Sequence, residues 1–399
     1  MKIKINKGKC VGEIKAPPSK SYAHRLLIAS ALANGRSKID GIIDSEDMIA
    51  TLSCISALGL KYEKKGEEVS FFGGELISSH RSFNANESGS TLRFFIPIAL
   101  ATGNSATFYG TERLIARGID IYEGIFEQQG IECTKQKTSI KLNGRLKPDT
   151  FYVRGDVSSQ FISGLIFALP LLSADSKIVI TTKLESEAYV DITIDAVKKF
   201  GIEVMRQGNE ILVKGNQKYH PQSLSVEGDA SNSAFLDAFN VLGGDVSVLG
   251  LNKDTIQPDY IYKKYFNEIK MGTPTLDLSA CPDLGPICFA LAATNNGAKF
   301  TGTKRLRIKE SDRASAMALE LEKLGGKVEL YENEAIVYPI GKLKENTTLS
   351  CHNDHRIAMS LACILTLCGG RLDGCECVKK SYPHFFEDIR KINAIWEEE

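Results

Sequence analysis

A chain of 399 residues exceeds the length at which one hydrophobic core stops growing, so two domains of roughly 200 residues each are expected. Its 49 basic and 49 acidic residues cancel, which excludes a global field that would recruit nucleic acid or an anionic membrane; any anion site must be built locally. The ten scattered cysteines read as reduced thiols, no run approaches the roughly 20 apolar residues of a membrane span, and MKIKINKGKCVGEIKAPPSK has no signal-like apolar core, so a soluble cytoplasmic protein is expected.

The chain opens on two strand-like stretches, KIKINKGK and GEIKAP. SKSYAHRLLIASALANG follows from Ser19, a small polar cluster leading into a strongly apolar helix. Next, MIATLSCISALGLKYEKKGEEVSFFG joins an amphipathic helix, ended by glycine, to two short alternating stretches that suit a hairpin. These two patterns then recur. The polar start with an apolar helix returns in SGSTLRFFIPIALATG from Ser88, SSQFISGLIFALPLL from Ser158 and DASNSAFLDAFNVLGG from Asp229. It returns again in PDLGPICFALAATNNG from Pro282 and NDHRIAMSLACILTLCGG from Asn353. The glycine-ended helix with its hairpin returns in YEGIFEQQGIECTKQKTSIKLNG, ITIDAVKKFGIEVMRQGNEILVKG and AMALELEKLGGKVELYENEAIVYP. Gly59, Gly130 and Gly201 stand 71 residues apart in each case, and a break near HPQSLSVEG then separates three units from three.

The last unit lacks a hairpin and ends in KSYPHFFEDIRKINAIW, so the unpaired opening strands are assigned to the C-terminal half. The expected division is a discontinuous domain of residues 1–18 and 227–399 and an inserted domain of residues 19–226, both α/β with buried helices. The crossovers lack charge-rich or low-complexity linkers, which predicts short, hinge-like connections.

Ser, Asp and Asn at the six polar starts admit two readings. As helix N-caps they satisfy orphan amides, the residues' ordinary use. As anion ligands they exploit the same amides and the partial positive charge of the helix end, worth only about 0.3–1 kcal/mol per exposed end. That is too little to hold a phosphorylated metabolite, so charge-assisted bonds of about 1.5–3 kcal/mol each would have to supply most of the binding. Lys20 and Arg25, Arg93 and Arg356 stand beside the starts, and further cations lie in the loops ERLIARG (Arg113, Arg117) and RLRIKESDR (Lys309, Arg313). Asp283 in CPDLGP and Glu310 in IKESDR stand beside polar starts and basic residues, where a carboxylate serves either as a plain salt-bridge partner or, in a closing cleft, as a proton carrier. No Walker loop, dinucleotide fingerprint, G-x-S-x-G elbow or HExxH competes. CHNDH (Cys351 to His355) lacks a spaced partner pair for zinc, Cys375 and Cys377 being separated by a single residue, and His355 reads as an orienting residue.

PPSKSYAHR, SGSTLRF, ERLIARG, SSQF, ESEAYVDIT, EGDAS, CPDLGP, RIKESDR, NDHRIAM and KKSYP run in the order and at the intervals of a known family. In these the chain resembles the enolpyruvyl transferases, specifically those that act on shikimate 3-phosphate, along almost its whole length. The resemblance implies two domains, each of three βαβαββ units around buried helices, closing on substrate at a two-crossover hinge. It also implies the reaction: the 5-hydroxyl of shikimate 3-phosphate attacks carbon 2 of phosphoenolpyruvate while carbon 3 gains a proton, and the tetrahedral adduct then loses phosphate. No metal or organic cofactor is implied. Beyond the two substrates no nucleic acid, membrane or partner subunit is expected, and the chain is taken as a monomer.

Matched to the family's motifs, Lys20 would lie between the substrates, with Ser21, Arg25, Ser158, Ser159, Gln160, Ser186 and Tyr189 on shikimate 3-phosphate. Gly89, Arg117, Arg313, Arg356 and Lys380 would surround phosphoenolpyruvate, which Lys20 and Gln160 also touch. Asp283 is similar to the family's acid on the shikimate hydroxyls and is the candidate base. Lys309 would bridge the substrates, and Glu310, alone or with Lys20, would carry the proton at carbon 3. Glu87-Ser88-Gly89-Ser90 keeps the glycine of the family's usual Asn-Ala-Gly-Thr but changes its neighbours, setting an acid near phosphoenolpyruvate. Arg305 replaces the family's Asn, so no shikimate contact is carried over to Arg305. The retained Gly89 implies inhibition by glyphosate. The sister enzymes that act on UDP-N-acetylglucosamine usually carry a reactive cysteine where ERLIARG has none, and SKSYAHR and SSQF favour the shikimate substrate.

Overall fold

The computed structural model describes residues 1–74, 76 and 80–399 and divides into two compact units. One is continuous, Lys20–Glu227; the other joins Met1–Ser19 to Gly228–Glu399. Strands β1 (Lys2–Ile5) and β2 (Val11–Lys15) open the chain, followed by α1 (Lys20–Leu32), β3 (Ser37–Asp40), α2 (Glu46–Ala57) and the hairpin β4 (Tyr62–Lys65) and β5 (Glu68–Phe71). The next stretch holds β6 (Arg81–Asn84), α3 (Gly89–Thr102), β7 (Ser105–Tyr109), α4 (Glu112–Ala116), α5 (Asp120–Gln129), β8 (Glu132–Lys135) and β9 (Ser139–Asn143). Then come β10 (Thr150–Val153), α6 (Ser159–Ala168), β11 (Ser176–Ile180), α7 (Glu187–Lys199), β12 (Val204–Gln207), β13 (Glu210–Val213) and β14 (Ser223–Ser225).

The discontinuous unit resumes with α8 (Ala230–Val241), β15 (Asp245–Leu249), α9 (Tyr262–Met271), β16 (Thr275–Asp277), α10 (Gly285–Thr294) and β17 (Ala298–Thr301). It continues through α11 (Arg313–Lys323), β18 (Val328–Leu330), β19 (Glu334–Val337), β20 (Thr347–Ser350), α12 (His355–Cys368), β21 (Gly370–Asp373), α13 (Phe385–Lys391) and β22 (Trp396–Glu398).

One sheet plan repeats. β6 runs parallel to β7 across α3, and the hairpin β8–β9 returns antiparallel with β9 against β7. The orders β10-β11-β13-β12 and β16-β17-β19-β18 follow the same plan. Each hairpin sits behind a glycine-ended helix because the chain must reverse there in a left-handed conformation: Gly59, Gly130 and Gly201 have φ of 90°, 66° and 81°. Two sheets are closed by distant segments. β14 supplies the parallel neighbour of β3, and β1 lies antiparallel between β21 and β22. β2 pairs in parallel with β15 as a two-stranded ribbon.

Each unit has its own apolar core. Helices α3, α6, α10 and α12 are buried on nearly every side, as their unbroken apolar runs require. In the continuous unit α3 and α6 approach so closely that a Cβ on Gly164 would collide with the Arg93 carbonyl and the Tyr122 hydroxyl. That hydroxyl donates toward the carbonyls of Arg93 (2.7 Å) and Phe161 (3.0 Å), fastening the two helices where the glycine lets them touch. The consequence for function is geometric. Helices buried in this way have polar N-terminal turns whose positions are fixed by the core.

Candidate active site

In the continuous unit, Lys20 and Ser21 begin α1, and Lys20 Nζ donates to Asp47 Oδ2 on α2 at 2.9 Å. Arg25, one turn on, is buried and places three of its five N–H groups on the protein: Nε on Thr193 Oγ1 (2.7 Å), Nη1 on the Ser21 carbonyl (2.7 Å) and Nη2 on the Tyr189 carbonyl (3.0 Å). Burial pulls the guanidinium down to about 10, so it stays charged at neutral pH. Ser186, just before α7, is buried with φ 54° and ψ 42°. A non-glycine residue held in that left-handed region is uncommon and clusters at ligand sites.

Ser158 caps α6, its Oγ accepting from Gln160 N at 3.4 Å, and Ser159 is buried in the first turn. Gln160 Oε1 accepts from Arg93 Nη1 (2.6 Å), and its Nε2 donates to Ser90 Oγ (2.8 Å), so α6 and α3 share one polar link at their starts. Gly89 is the first residue of α3 behind the Ser88 cap, and a Cβ there would come within 3.3–3.4 Å of three guanidinium atoms of Arg117. The glycine thus lets a cation stand against a helix N-terminus, both favouring an anion. Glu87 follows Asn86, whose φ is 50°, and is half-buried.

The discontinuous unit gathers a denser set of charges. Asp283 lies in the 3-10 turn Pro282–Leu284 ahead of α10. Lys309 Nζ (3.2 Å), Arg313 Nη1 (2.7 Å) and Arg356 Nη2 (3.5 Å) converge on its carboxylate. Arg313, 1% exposed, also donates through Nη2 to Glu310 (2.8 Å) and through Nε to Asp354 (2.9 Å). Burial works against its charge, but the carboxylates of Asp354, Glu310 and Asp283 overcome this and hold Arg313 above its ordinary range. Asp354 is fully buried, which by itself would raise it; Arg313 instead holds it below the usual carboxylate range. Burial, opposed by Asp283, lowers Lys309. Arg356 Nη1 donates to Asn232 Oδ1 at 3.1 Å, and Lys380 Nζ donates to the Asn353 carbonyl at 2.7 Å. Arg305 is buried with Nη1 on the Ser279 carbonyl at 3.4 Å.

The two units therefore each carry part of the expected residue set: Lys20, Ser21, Arg25, Gly89, Arg117, Ser158, Ser159, Gln160 and Ser186 on one, Asp283, Lys309, Glu310, Arg313, Arg356 and Lys380 on the other. Four residues that hold this machinery escape sequence reading. Asp47 faces Lys20, Thr193 faces Arg25, Asn232 faces Arg356, and Asp354 anchors Arg313 while accepting the Arg356 amide at 2.9 Å. Only Asp354 had a signal, its place before an apolar helix, and that signal spells a cap. Asp229 caps α8 through the Asn232 amide at 2.7 Å, and Ser231 bonds Asp259. CHNDH is pulled apart: His352 Nε2 meets Glu320 (2.6 Å), and Cys351 turns to Cys375. Among the described residues no group of three metal-ligating side chains converges.

The family model of EPSP synthase (3-phosphoshikimate 1-carboxyvinyltransferase) matches residues 5–389. The 3-phosphoshikimate 1-carboxyvinyltransferase of Clostridioides difficile (strain 630) is 39% identical, with 99% of this chain and 98% of that protein aligned. The enzyme of the same name from Clostridium novyi (strain NT) is 42% identical at the same coverage. Among solved structures, EPSP synthase from Acinetobacter baumannii superposes with a TM-score of 0.79 over 99% of both chains at 22% identity, a likeness of fold.

Proposed function

The chain belongs to the EPSP synthase family, and on that premise we propose how its residues divide the work of one reaction. The protein is a transferase that moves the enolpyruvyl group of phosphoenolpyruvate to shikimate 3-phosphate, a step of the shikimate pathway toward aromatic amino acids. In our reading Ser21, Arg25, Ser158, Ser159 and Ser186 bind the phosphorylated shikimate, joined by Gln160. The N-terminal turn of α3 with Arg117, and Arg313, Arg356 and Lys380, take the phosphate and carboxylate of phosphoenolpyruvate. Lys20 and Lys309 contact both substrates.

Asp283 accepts the proton of the 5-hydroxyl as its oxygen bonds to carbon 2. Glu310, assisted by Lys20, delivers a proton to carbon 3. Collapse of the adduct reverses the last transfer: the carbon 3 proton returns to its carrier, and the carbon–oxygen bond to phosphate breaks with its electron pair passing to the phosphate oxygen. The phosphate takes up the proton lost by the 5-hydroxyl, and the enol ether remains. The observation that carries this reading is the network through Arg313, which joins Glu310 and Asp283 on one buried guanidinium with Lys309 at 3.2 Å from Asp283. Proton carriers held by fixed cations need no reorganisation when charge develops. We further read the protein as a cytoplasmic monomer, in keeping with ten free thiols and balanced charge.

Release of inorganic phosphate on mixing shikimate 3-phosphate with phosphoenolpyruvate tests the transfer. Lys20→Ala and Glu310→Ala should each lower turnover at least about tenfold, the low side of what acid–base residues contribute. An active wild type with both variants above that threshold would refute the assigned roles.

A further inference from the structure

A buried polar chain runs through the continuous unit among residues given no role above. His24 Nδ1 on α1 lies 2.7 Å from Thr51 Oγ1 on α2, and Thr51 Oγ1 lies 2.8 Å from Thr91 Oγ1 on α3. Thr91 Oγ1 then donates to Ser88 Oγ at 2.8 Å, the cap of α3, which also accepts the Thr91 amide at 3.3 Å. All four side chains are at most 2% exposed. Burial, reinforced by the cations of Lys20 and Arg25, lowers His24 well below its ordinary value, so the ring is neutral.

The proton count then fixes a direction. Thr91 spends its hydroxyl proton on Ser88, so the Thr51–Thr91 contact needs the proton of Thr51. Thr51 therefore has none for His24, and the ring must donate from Nδ1–H. Only this tautomer puts one hydrogen in every link; it leaves His24 Nε2 as an acceptor without a partner among the described residues.

Stability alone gives this arrangement little reason. Apolar side chains of the same shape would fill the space at no net loss, whereas a polar chain fixes the register of the elements it joins. The elements joined, α1, α2 and α3, carry in their first turns Lys20, its partner Asp47 and Gly89. His24 is four residues after Lys20 and adjacent to Arg25, Thr51 is one turn beyond Asp47, the partner of Lys20, and Thr91 is two residues after Gly89.

We infer that Thr51 is a positioning residue: as the middle link of this chain it holds the first turn of α3, with Gly89 and its neighbour Arg117, in register with Lys20, and so sets the affinity for phosphoenolpyruvate. The inference rests on the transferase reading above. Thr51→Val removes the hydroxyl at constant shape, and Thr51→Ser restores it. In the phosphate-release assay Thr51→Val should raise KM for phosphoenolpyruvate about tenfold while KM for shikimate 3-phosphate stays within about twofold, and Thr51→Ser should return to wild-type behaviour.

A purely structural hydroxyl would lower the melting temperature and the active fraction but leave both KM values unchanged, which would overturn the inference. So would equal rises in both. Should Thr51→Val not fold, Thr91→Val cuts the adjoining link and is judged by the same criterion; failure of both to fold makes the chain structural and also overturns it. A wild type that releases no phosphate defeats the transferase reading itself, a result distinct from unchanged KM values in an active enzyme.

Discussion

Replacing Asp354 tests how much of the discontinuous unit depends on one buried carboxylate. It accepts from Arg313 Nε (2.9 Å) and Nη2 (3.4 Å), Ser311 Oγ (3.0 Å) and the Arg356 amide (2.9 Å), with no exposed surface. Breaking a buried ion pair from one side costs about 3–5 kcal/mol. Arg313 keeps Asp283 and Glu310, both partly exposed, so the lower end applies and Asp354→Asn should cost about 3 kcal/mol. Asp354→Ala also loses the cap of α12, worth about 1 kcal/mol, for about 4 kcal/mol in all. For a unit of this size that is a fall in melting temperature of roughly 8–16 °C. The single tryptophan, Trp396, donates to the Phe386 carbonyl within the same unit, so its fluorescence during urea unfolding reports the affected part directly. An alanine variant within about 1 kcal/mol of wild type would show that Asp283 and Glu310 suffice for Arg313 and would refute the reasoning.

Two further outcomes are expected. Gly89→Ala meets no backbone conflict, since only Arg117 crowds the new methyl at 3.3–3.4 Å; the fold should persist while KM for phosphoenolpyruvate rises about tenfold and glyphosate inhibition weakens at least as much, both read from inhibition curves in the phosphate assay. Lys309 is lowered chiefly by burial, so its folded value lies below its unfolded one and the charged form costs stability at neutral pH. That cost is relieved as pH rises through the lowered folded value toward about 10.4. Lys309→Met should therefore abolish turnover yet unfold at higher urea than wild type at pH 7, with the advantage shrinking in alkaline buffer; a variant less stable at pH 7 would contradict the sign.

Much of the fold was legible because repetition leaves a periodic trace. The 71-residue interval of Gly59, Gly130 and Gly201 follows from three chain reversals that each need a left-handed residue, and the unbroken apolar run of SSQFISGLIFALPLL from helix burial on most sides. The helix starts could be located for the same reason, but not their purpose. A serine that caps, such as Ser158, and a serine at ligand distance are the same letter in the same place. The supports were hidden because they are tertiary: Asp354 reaches Arg313 across 41 residues and Thr193 reaches Arg25 across 168. No spacing rule spans such distances. Glu87 and Arg305 departed from the family pattern, and the structure adds where Arg305 is anchored, on the Ser279 carbonyl.

The place of β1 has a consequence for how the chain comes off the ribosome. Its partners are β21 and β22, so β1 is among the last strands to find its neighbours, whereas β2 waits only for β15. At about 5–20 residues per second, β1 stays unpaired for roughly 20–80 s while Lys20–Glu227 can already collapse around its own core. An exposed strand edge held open that long invites pairing with another nascent chain. Lys2, Lys4, Lys7 and Lys9 charge this segment, and the counter-ion of Lys4, Glu397, lies 393 residues further along the chain. Charged side chains on an open strand disfavour such pairing, and loss of β22 should leave β1 without one of its two partners.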